Sequence, residues 1–362
     1  MSALSDVVCP ACRAALHVSA EVTVCGACGK AYPRVGGLLV LLPEAEAHVQ
    51  LWRGQLGLLL ERGQKTFDGL RDAAAAPDLL DSTRTRLLAL GQAVRQQVTD
   101  VQAVLEPALG GAAAPGQGLP RGVVEYVGYL YRDWGWPSVG YDENAAALTS
   151  LAELLGERAL GRVLVLGAGA GGLAYELHRR HGATQTIAVD VDPFLLVMAE
   201  QLVRGKTIPL TEASLKVLET SDVSRTWQLM ASGGALGAEA FQCVFADGTS
   251  PPFAPGSFDS VVTPWFVDQV PRDLPAFAAT VRRLLRTGGL WLNQGPLIYP
   301  EQVPFERRYS QDELFELAAA AGFERLSASR RSLRYLVSPL SGHGKIETVL
   351  SCLWRRGAAE KG

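Results

Sequence analysis

The sequence has 362 residues, of which 48% are hydrophobic, and its formal net charge at pH 7 is −3. This length allows more than one structural unit and a sizeable buried core. The composition excludes a disordered chain, and the small net charge does not favour a nucleic-acid-seeking protein. No apolar run reaches the roughly 18 residues of a membrane span, and the first residues lack a secretory-signal pattern, so we expect a cytoplasmic protein.

Two pairs of cysteines lie near the start of the sequence. Cys9 and Cys12 form one C-x-x-C pair, Cys25 and Cys28 form the other, and 12 residues separate the pairs. Four thiolates with this spacing are typical of a structural Zn²⁺ site. We therefore predict a zinc ribbon over residues 1–44. Its three basic and three acidic side chains make nucleic acid an unfavoured partner.

The end of this segment is AYPRVGGLLVLLPE, residues 31–44. It resembles short bacterial zinc-ribbon proteins and the small activator subunit of certain tRNA and release-factor methyltransferases. We expect its apolar tail, residues 38–42, to pack on the rest of the protein. The ribbon is therefore predicted to have a structural or interaction role.

Residues 45–150 are predicted to be mainly helical. Apolar side chains recur at helical spacing over residues 87–105. Residues 110–120 have the composition of a linker. Further helices are expected over residues 123–131 and 142–155. This region either belongs to the core or forms a lid over the active site.

The most informative stretch is VLVLGAGAGGL, residues 163–173. Its leading apolar residues predict a buried strand, and a helix is expected after the glycines. Gly167, Gly169 and Gly171 let the backbone bend sharply and approach a ligand that faces the helix amides. Asp190 ends the following strand, where a carboxylate can bind ribose hydroxyls. The combination predicts a nucleoside cofactor, either a dinucleotide or S-adenosylmethionine.

The remainder of the sequence, residues 151–362, alternates strands and helices, which predicts a doubly wound α/β fold. The predicted strands span residues 162–167, 186–190, 241–246, 258–263, 289–293, 323–330 and 347–355. The predicted helices span residues 171–181, 193–203, 273–286 and 310–321. The closing strand pair has no clear helix between its members, which is typical of class I methyltransferases. We therefore predict a seven-stranded, Rossmann-like sheet of that class, preceded by the zinc ribbon and the helical segment.

Other residues agree with S-adenosylmethionine as the cofactor. Asp247 and Gly248 follow the third strand, where this class presents a carboxylate, or the amide after it, to the adenine. A neutral nitrogen that attacks the sulfonium methyl needs mainly positioning and a group that accommodates its developing charge. Trp265, Phe266 and Tyr299 are candidates to surround such an acceptor and to favour the developing cation.

Residues 261–300 resemble the carnosine N-methyltransferase family, which carries a similar strand, aromatic pair, Asp, helix, Gly-Gly and W-x-N-x-GPL-x-Y segment. The resemblance extends weakly from RDW at Arg132 to SPLSGHGK near the C-terminus. It implies methyl transfer from S-adenosylmethionine to an imidazole nitrogen of a histidine-containing small molecule or peptide. It also places Asp268 at the position of the family's substrate-binding acid, where it can hold the imidazole N–H.

The sequence also departs from the family. The family has His after GPL-x-Y where this chain has Pro300, and Arg in the glycine turn where this chain has Gly172. Its C-terminal tyrosine cluster is replaced by residues 345–348, so the methyl acceptor stays open. One alternative is an RNA methyltransferase with a zinc ribbon, because TPWF, residues 263–266, distantly resembles an NPPY-like motif. A second alternative is a non-catalytic scaffold, and the sequence does not indicate an oligomeric state.

Overall fold

The computed structural model of the protein describes residues 4–19, 22–113, 123–137, 143–214, 216–270 and 273–358. The strands are β1 (Thr23–Val24), β2 (Ala31–Tyr32), β3 (Arg34–Val35), β4 (Leu38–Leu41), β5 (Gly161–Leu166), β6 (Ala183–Asp190), β7 (Ile208–Ala213), β8 (Ser224–Leu229), β9 (Phe241–Ala246), β10 (Phe258–Pro264), β11 (Leu285–Gly295), β12 (Phe323–Tyr335) and β13 (Lys345–Arg356). The helices are α1 (Ala45–Ala74), α2 (Asp81–Leu109), α3 (Val123–Trp134), α4 (Glu143–Leu155), α5 (Gly172–Arg180), α6 (Pro193–Val203), α7 (Leu274–Leu284) and α8 (Gln311–Ala320). Most of the linker predicted over residues 110–120 lies outside the described residues.

A nine-stranded sheet organises the molecule, in the order β12, β13, β11, β10, β5, β6, β9, β4, β3. Strands β11, β10, β5, β6 and β9 run parallel, whereas β13 is antiparallel to both of its neighbours. The predicted doubly wound class I sheet with a reversed closing hairpin is confirmed. Its central strands are covered on both faces, which explains the unbroken apolar run of β5.

The N-terminal segment extends this sheet beyond the seven strands of the prediction. Strand β4 pairs in parallel with β9, with Leu39 opposite Val244 and Leu41 opposite Ala246. All of β4 is buried, and β3 lies outside it. The apolar tail of the ribbon segment therefore packs on the rest of the protein as a strand of the sheet.

Helices α1 and α2 pack on each other beside α6. Trp52 of α1 meets Phe194 of α6 edge-on, with ring centroids 4.9 Å apart. The stretch between α6 and β9, where neither a strand nor a helix is predicted, contains the antiparallel hairpin β7–β8. It packs on α2, where Thr211 N donates to Asp100 Oδ2 at 2.8 Å. Most of β8 is exposed, so its sequence lacks the apolar run of a buried strand.

The strand order reverses between β5 and β10, which are neighbours in the sheet. Ligands of open α/β sheets bind at such a point, outside the carboxyl ends of the strands. The glycine turn after β5 and the aromatic pair after β10 both lie here. Across the described ranges, no helix is long and apolar enough to cross a membrane.

Candidate active site

Glycine is required at three positions of the turn between β5 and α5. Gly167, Gly169 and Gly171 have φ angles of 73°, 55° and 83°, a left-handed range that residues with a Cβ avoid. The amides of Gly167 and Ala168 donate to Val189 O at 3.0 Å, which ties the turn to β6. The turn therefore presents backbone at the N-terminus of α5, where polar groups of a cofactor can bind.

Two aspartates lie beside this turn, since Asp190 is the last residue of β6 and Asp192 precedes α6. Asp190 accepts hydrogen bonds from Gly169 N at 2.8 Å and from Asp192 N at 2.9 Å. Asp192 caps α6 by accepting from Phe194 N at 2.9 Å, and its Oδ2 is buried without a partner among the described residues. Burial, aided by the charge of Asp190, raises the pKa of Asp192 to about 7. An orphaned acceptor beside Asp190 suits a ligand that donates from hydroxyl groups, as ribose does.

The side chain of Asp247, the first residue after β9, forms hydrogen bonds within the loop that follows this strand. Asp247 Oδ1 accepts from the amide of Thr249 at 2.8 Å and from its hydroxyl at 2.7 Å. Gly248 lies under the ring of Phe266, whose Cζ would be 2.8 Å from a Cβ at this position. The same ring also covers Gly167. The prediction grouped Phe266 with the acceptor-binding residues, whereas its ring lies beside Gly167 and Gly248, two glycines predicted to bind the cofactor.

Helix α3 is attached to the glycine turn by two side chains that the prediction did not include. Asp133 Oδ2 accepts from Gly172 N at 2.9 Å, and Trp134 Nε1 donates to a carbonyl of the turn at 2.7 Å. Arg132 forms ion pairs with Asp133 at 2.6 Å and with Glu143 at 3.0 Å. The two contacts with the turn join residues 39 and 36 positions apart, so no local pattern in the sequence indicates them.

Beyond β10, aromatic side chains carry polar atoms without partners. Trp265 has a left-handed backbone with φ 46°, and its ring stacks on Tyr335 with centroids 5.9 Å apart. Trp265 Nε1 and Tyr299 Oη are buried and find no hydrogen-bond partner in the part of the chain that the structure describes. Strained backbone and orphaned donors are typical of sites that a ligand completes.

Asp268 lies in a short turn after β10 and is only 3% exposed. Its Oδ2 accepts a hydrogen bond from Ile298 N at 3.2 Å. Burial raises the pKa of Asp268 to about 6, and the charge of Glu347 acts in the same direction. Burial also raises the pKa of Tyr299 to about 12, with the charge of Asp268 contributing. The charge of Glu347 therefore acts on Asp268, and the charge of Asp268 acts on Tyr299.

Glu347 was not among the predicted site residues. It lies on β13, which pairs with β11 so that Gly295 is opposite Leu350. Toward the start of β13, Glu347 lies opposite Leu333 of β12, and its charge acts on Asp268. Glu347 Oε2 is buried and unpartnered within the described residues. One sequence feature pointed to Glu347, because it lies within residues 345–348, where the chain departs from the tyrosine cluster of the carnosine N-methyltransferase family.

The four ribbon cysteines converge. Their Sγ atoms all lie within 4.8 Å of one another. The Sγ atoms of Cys9 and Cys28 are 3.6 Å apart, as are those of Cys12 and Cys25. Four zinc–sulfur bonds of about 2.3 Å in a tetrahedron imply sulfur separations of about 3.8 Å. Burial disfavours the thiolate of Cys9, but hydrogen bonds from the Tyr32 hydroxyl and backbone amides lower its pKa to about 6. The donor set therefore fits a structural zinc ion.

Several solved structures resemble the chain at low identity. N-methyltransferase NodS from Bradyrhizobium japonicum, in complex with S-adenosyl-l-homocysteine, is 12% identical with a TM-score of 0.42, covering 65% of this chain and 97% of that chain. A putative methyltransferase from Bacillus halodurans is 15% identical with a TM-score of 0.40, and the match covers 58% of this chain and 100% of that chain. A complex of the Haloferax volcanii Trm112 methyltransferase activator and a putative methyltransferase also matches. The matched chain is 15% identical with a TM-score of 0.39, and the match covers 59% of this chain and 89% of that chain. TM-scores this low indicate nothing about the activity of this chain.

The match to a protein family is more informative. No curated protein sequence matches the chain significantly, but the carnosine N-methyltransferase family model matches residues 210–341. The matched residues include Asp247, Trp265, Asp268 and Tyr299, so they cover the proposed acceptor side and part of the cofactor side. The chain is an S-adenosylmethionine-dependent methyltransferase that resembles the carnosine N-methyltransferase family over residues 210–341.

Proposed function

We propose that the protein transfers a methyl group from S-adenosylmethionine to an imidazole nitrogen of a histidine-containing small molecule or peptide. The observation that carries this proposal is the buried carboxylate of Asp268, close to Tyr299 and to the aromatic pair after β10. A buried carboxylate among aromatic rings suits an acceptor ring that donates an N–H and becomes positively charged.

The residues around the switch point fit the cofactor. When bound, S-adenosylmethionine supplies a methyl group on a positively charged sulfur. We assign the glycine turn to its close approach to the backbone, and Asp190 with Asp192 to its ribose hydroxyls. We assign Asp247 and the amide of Gly248 to its adenine. The left-handed glycines and the orphaned Oδ2 of Asp192 support this assignment.

Asp268 is assigned to the acceptor. Its carboxylate accepts the N–H of the imidazole, which leaves the lone pair of the other ring nitrogen free to attack. As that nitrogen gains the methyl group, the ring becomes cationic, and the adjacent carboxylate stabilises the charge in surroundings of low polarity. The carboxylate then takes up the N–H proton, so the product leaves as a neutral ring. A pKa near 6 suits a group that must be ionised at neutral pH and accept this proton.

Glu347 narrows the proposed acceptor class. Neither Glu347 nor Asp268 forms an ion pair within the described residues. Two carboxylates without a countercharge favour an acceptor that carries a positive charge in addition to its imidazole. We therefore propose that imidazole compounds with a protonated amine are preferred over neutral imidazoles.

The ribbon is proposed to hold one structural zinc ion through Cys9, Cys12, Cys25 and Cys28. Their convergence and the contact of Tyr32 with Cys9 support this assignment. The ion would stabilise the turns of the two cysteine pairs, because a structural zinc site contributes directly to folding.

The test compares methyl transfer to several acceptors by wild type and Asp268→Asn. Carnosine, histidine, histamine, histidine-containing peptides and structured RNA are each offered with labelled S-adenosylmethionine. We expect wild type to methylate an imidazole and Asp268→Asn to lose about 10²–10³-fold in kcat/KM, the effect of losing one preorganised charge-stabilising group. Affinity for S-adenosylhomocysteine should stay nearly unchanged. Asp78→Asn, which removes an exposed charge in the turn after α1, is the matched control.

Two results would contradict the proposal. If wild type methylates RNA and no imidazole, the acceptor class is wrong. If Asp268→Asn retains activity on an imidazole within about threefold, far from the loss expected of a charge-stabilising group, Asp268 has no part in the mechanism.

A further inference from the structure

The ribbon lies against the loop that follows β9. Just before Cys9, Val8 N donates to Pro252 O at 2.9 Å, and Ala254 N donates to Asp6 O at 2.9 Å. These reciprocal bonds make a short antiparallel bridge between the two segments. The first cysteine turn therefore begins where the chain is already fixed to this loop.

Arg13 makes a second attachment to the same loop. It directly follows Cys12 and has a left-handed backbone with φ 62°, and its amide donates to Cys9 O at 2.8 Å. Its guanidinium donates to Pro251 O at 3.2 Å, to Ser250 O at 3.4 Å and to the Ser250 hydroxyl. The cysteine turn thus sets the position of the Arg13 side chain, which is hydrogen-bonded to the loop after β9.

Ser250 and Pro251, the residues bonded to Arg13, lie close to the proposed adenine contact at Asp247 and Gly248. Ser250 N donates to Asp247 O at 3.2 Å, so the two ends of the turn move together. On the other side of Asp247, β4 pairs with β9 as far as Ala246. The N-terminal segment therefore supports both the strand before Asp247 and the loop after it.

We propose that Arg13 is a positioning residue for cofactor binding, through which the metal-bound ribbon holds the loop of Asp247 and Gly248 in its binding conformation. This inference rests on the proposed contact of that loop with adenine. Without the metal, the cysteine turn loosens and Arg13 loses its fixed position. Cofactor binding must then order the loop itself, and its affinity falls.

Three variants of the full chain test the role of Arg13. Arg13→Ala removes the hydrogen bonds to Ser250 and Pro251. Arg13→Lys keeps the charge but has fewer directed donors. Arg34→Ala is the matched control, because Arg34 donates to Gly37 O and Ser19 O within the ribbon. Calorimetry with S-adenosylhomocysteine gives the affinity, hydrogen exchange over residues 247–254 gives the order of the loop, and thermal unfolding gives stability.

We expect Arg13→Ala to weaken S-adenosylhomocysteine binding by about fivefold to tenfold, as expected for losing hydrogen bonds from a charged group. Hydrogen exchange over the loop should rise, whereas the thermal midpoint should stay close to that of wild type. Arg13→Lys should recover part of the affinity, and Arg34→Ala should bind as wild type does. Removing the metal with a chelator should weaken binding at least as much as Arg13→Ala, and Arg13→Ala should add little once the metal is gone.

Wild-type affinity in both Arg13→Ala and the metal-free protein would overturn the inference, as would equal weakening in Arg34→Ala. Asp247→Ala separates the inference from the proposed function. If Asp247→Ala weakens binding while Arg13→Ala does not, only the inference fails. If Asp247→Ala has no effect, the proposed adenine contact fails and the inference fails with it.

Discussion

Replacing Gly172 with alanine tests how helix α3 is attached to the cofactor turn. A Cβ at this position would lie 2.6 Å from the Cβ of Asp133, 2.8 Å from its Cγ and 3.0 Å from its Oδ2. Asp133 cannot move aside easily, because Arg132 Nε holds its carboxylate at 2.6 Å and Asn144 Nδ2 at 3.0 Å. The substitution should therefore break the hydrogen bond from Gly172 N and push α3 away from the turn.

The expected magnitude combines three effects. Overpacking costs about 1–3 kcal/mol, and losing a hydrogen bond to a charged group costs about 1.5–3 kcal/mol. Alanine in a helix returns about 1 kcal/mol relative to glycine. We expect Gly172→Ala to lower the free energy of unfolding by about 2–4 kcal/mol. Its affinity for S-adenosylhomocysteine should fall as well, because the turn loses its support.

A double-mutant cycle with Asp133→Ala isolates the cause. Removing the carboxylate clears the space, so Gly172→Ala should be neutral or slightly stabilising in that background. Gly169→Ala is the control, because nothing lies near its Cβ position and only its φ of 55° opposes a side chain. It should cost about 1–2 kcal/mol in either background. Urea titrations measure each step, and an equal effect of Gly172→Ala in both backgrounds would refute the reasoning.

Three further predictions concern charged groups of the site. Asp190→Ala should weaken S-adenosylhomocysteine binding by about tenfold or more, and neither it nor wild type should bind NAD tightly; calorimetry with both ligands decides this. Activity should fall as the pH drops through about 6, because protonation of Asp268 removes the negative charge that stabilises the acceptor. The measurement is the pH profile of kcat/KM, and an identical profile in Asp268→Asn would contradict this prediction. Glu347→Gln should raise KM for histamine by about tenfold and leave KM for 4-methylimidazole, which lacks the ammonium group, unchanged. The exposed Glu301→Gln is the control, and equal effects on both acceptors would exclude a contact with the ammonium group.

The parts of the fold that follow from local pattern could be predicted from the sequence. Apolar runs, glycine turns and helical spacing identify the seven strands of the class I sheet, and the four cysteines identify the ribbon. The hairpin β7–β8 was missed because one of its strands is mostly exposed and carries no buried pattern. The pairing of β4 with β9 has no local signal, since an apolar segment such as residues 38–42 can pack in many ways.

The same division holds in the site. Asp190 and Asp247 could be chosen because each ends a strand beside an expected cofactor. The attachment of Asp133 to the turn and the approach of Glu347 to Asp268 depend on packing between distant segments. Even within a short motif, side-chain directions could not be predicted. TPWF does not indicate that the side chains of Trp265 and Phe266 point in different directions. The left-handed backbone of Trp265 separates their directions.

The departures from the carnosine N-methyltransferase pattern fall into two kinds. Gly172 lies on the cofactor side, where Asp133 occupies the space that a side chain would need, so this departure leaves the glycine turn intact. Pro300 and residues 345–348 lie on the acceptor side, next to Tyr299 and around Glu347. Because the proposed acceptor contacts come from these segments and the proposed cofactor contacts do not, we expect changes here to alter which molecule is methylated without altering the methyl donor. Among the acceptor-side departures, we expect the carboxylate of Glu347 to have the largest electrostatic consequence, since its charge acts on Asp268 and would favour a cationic acceptor.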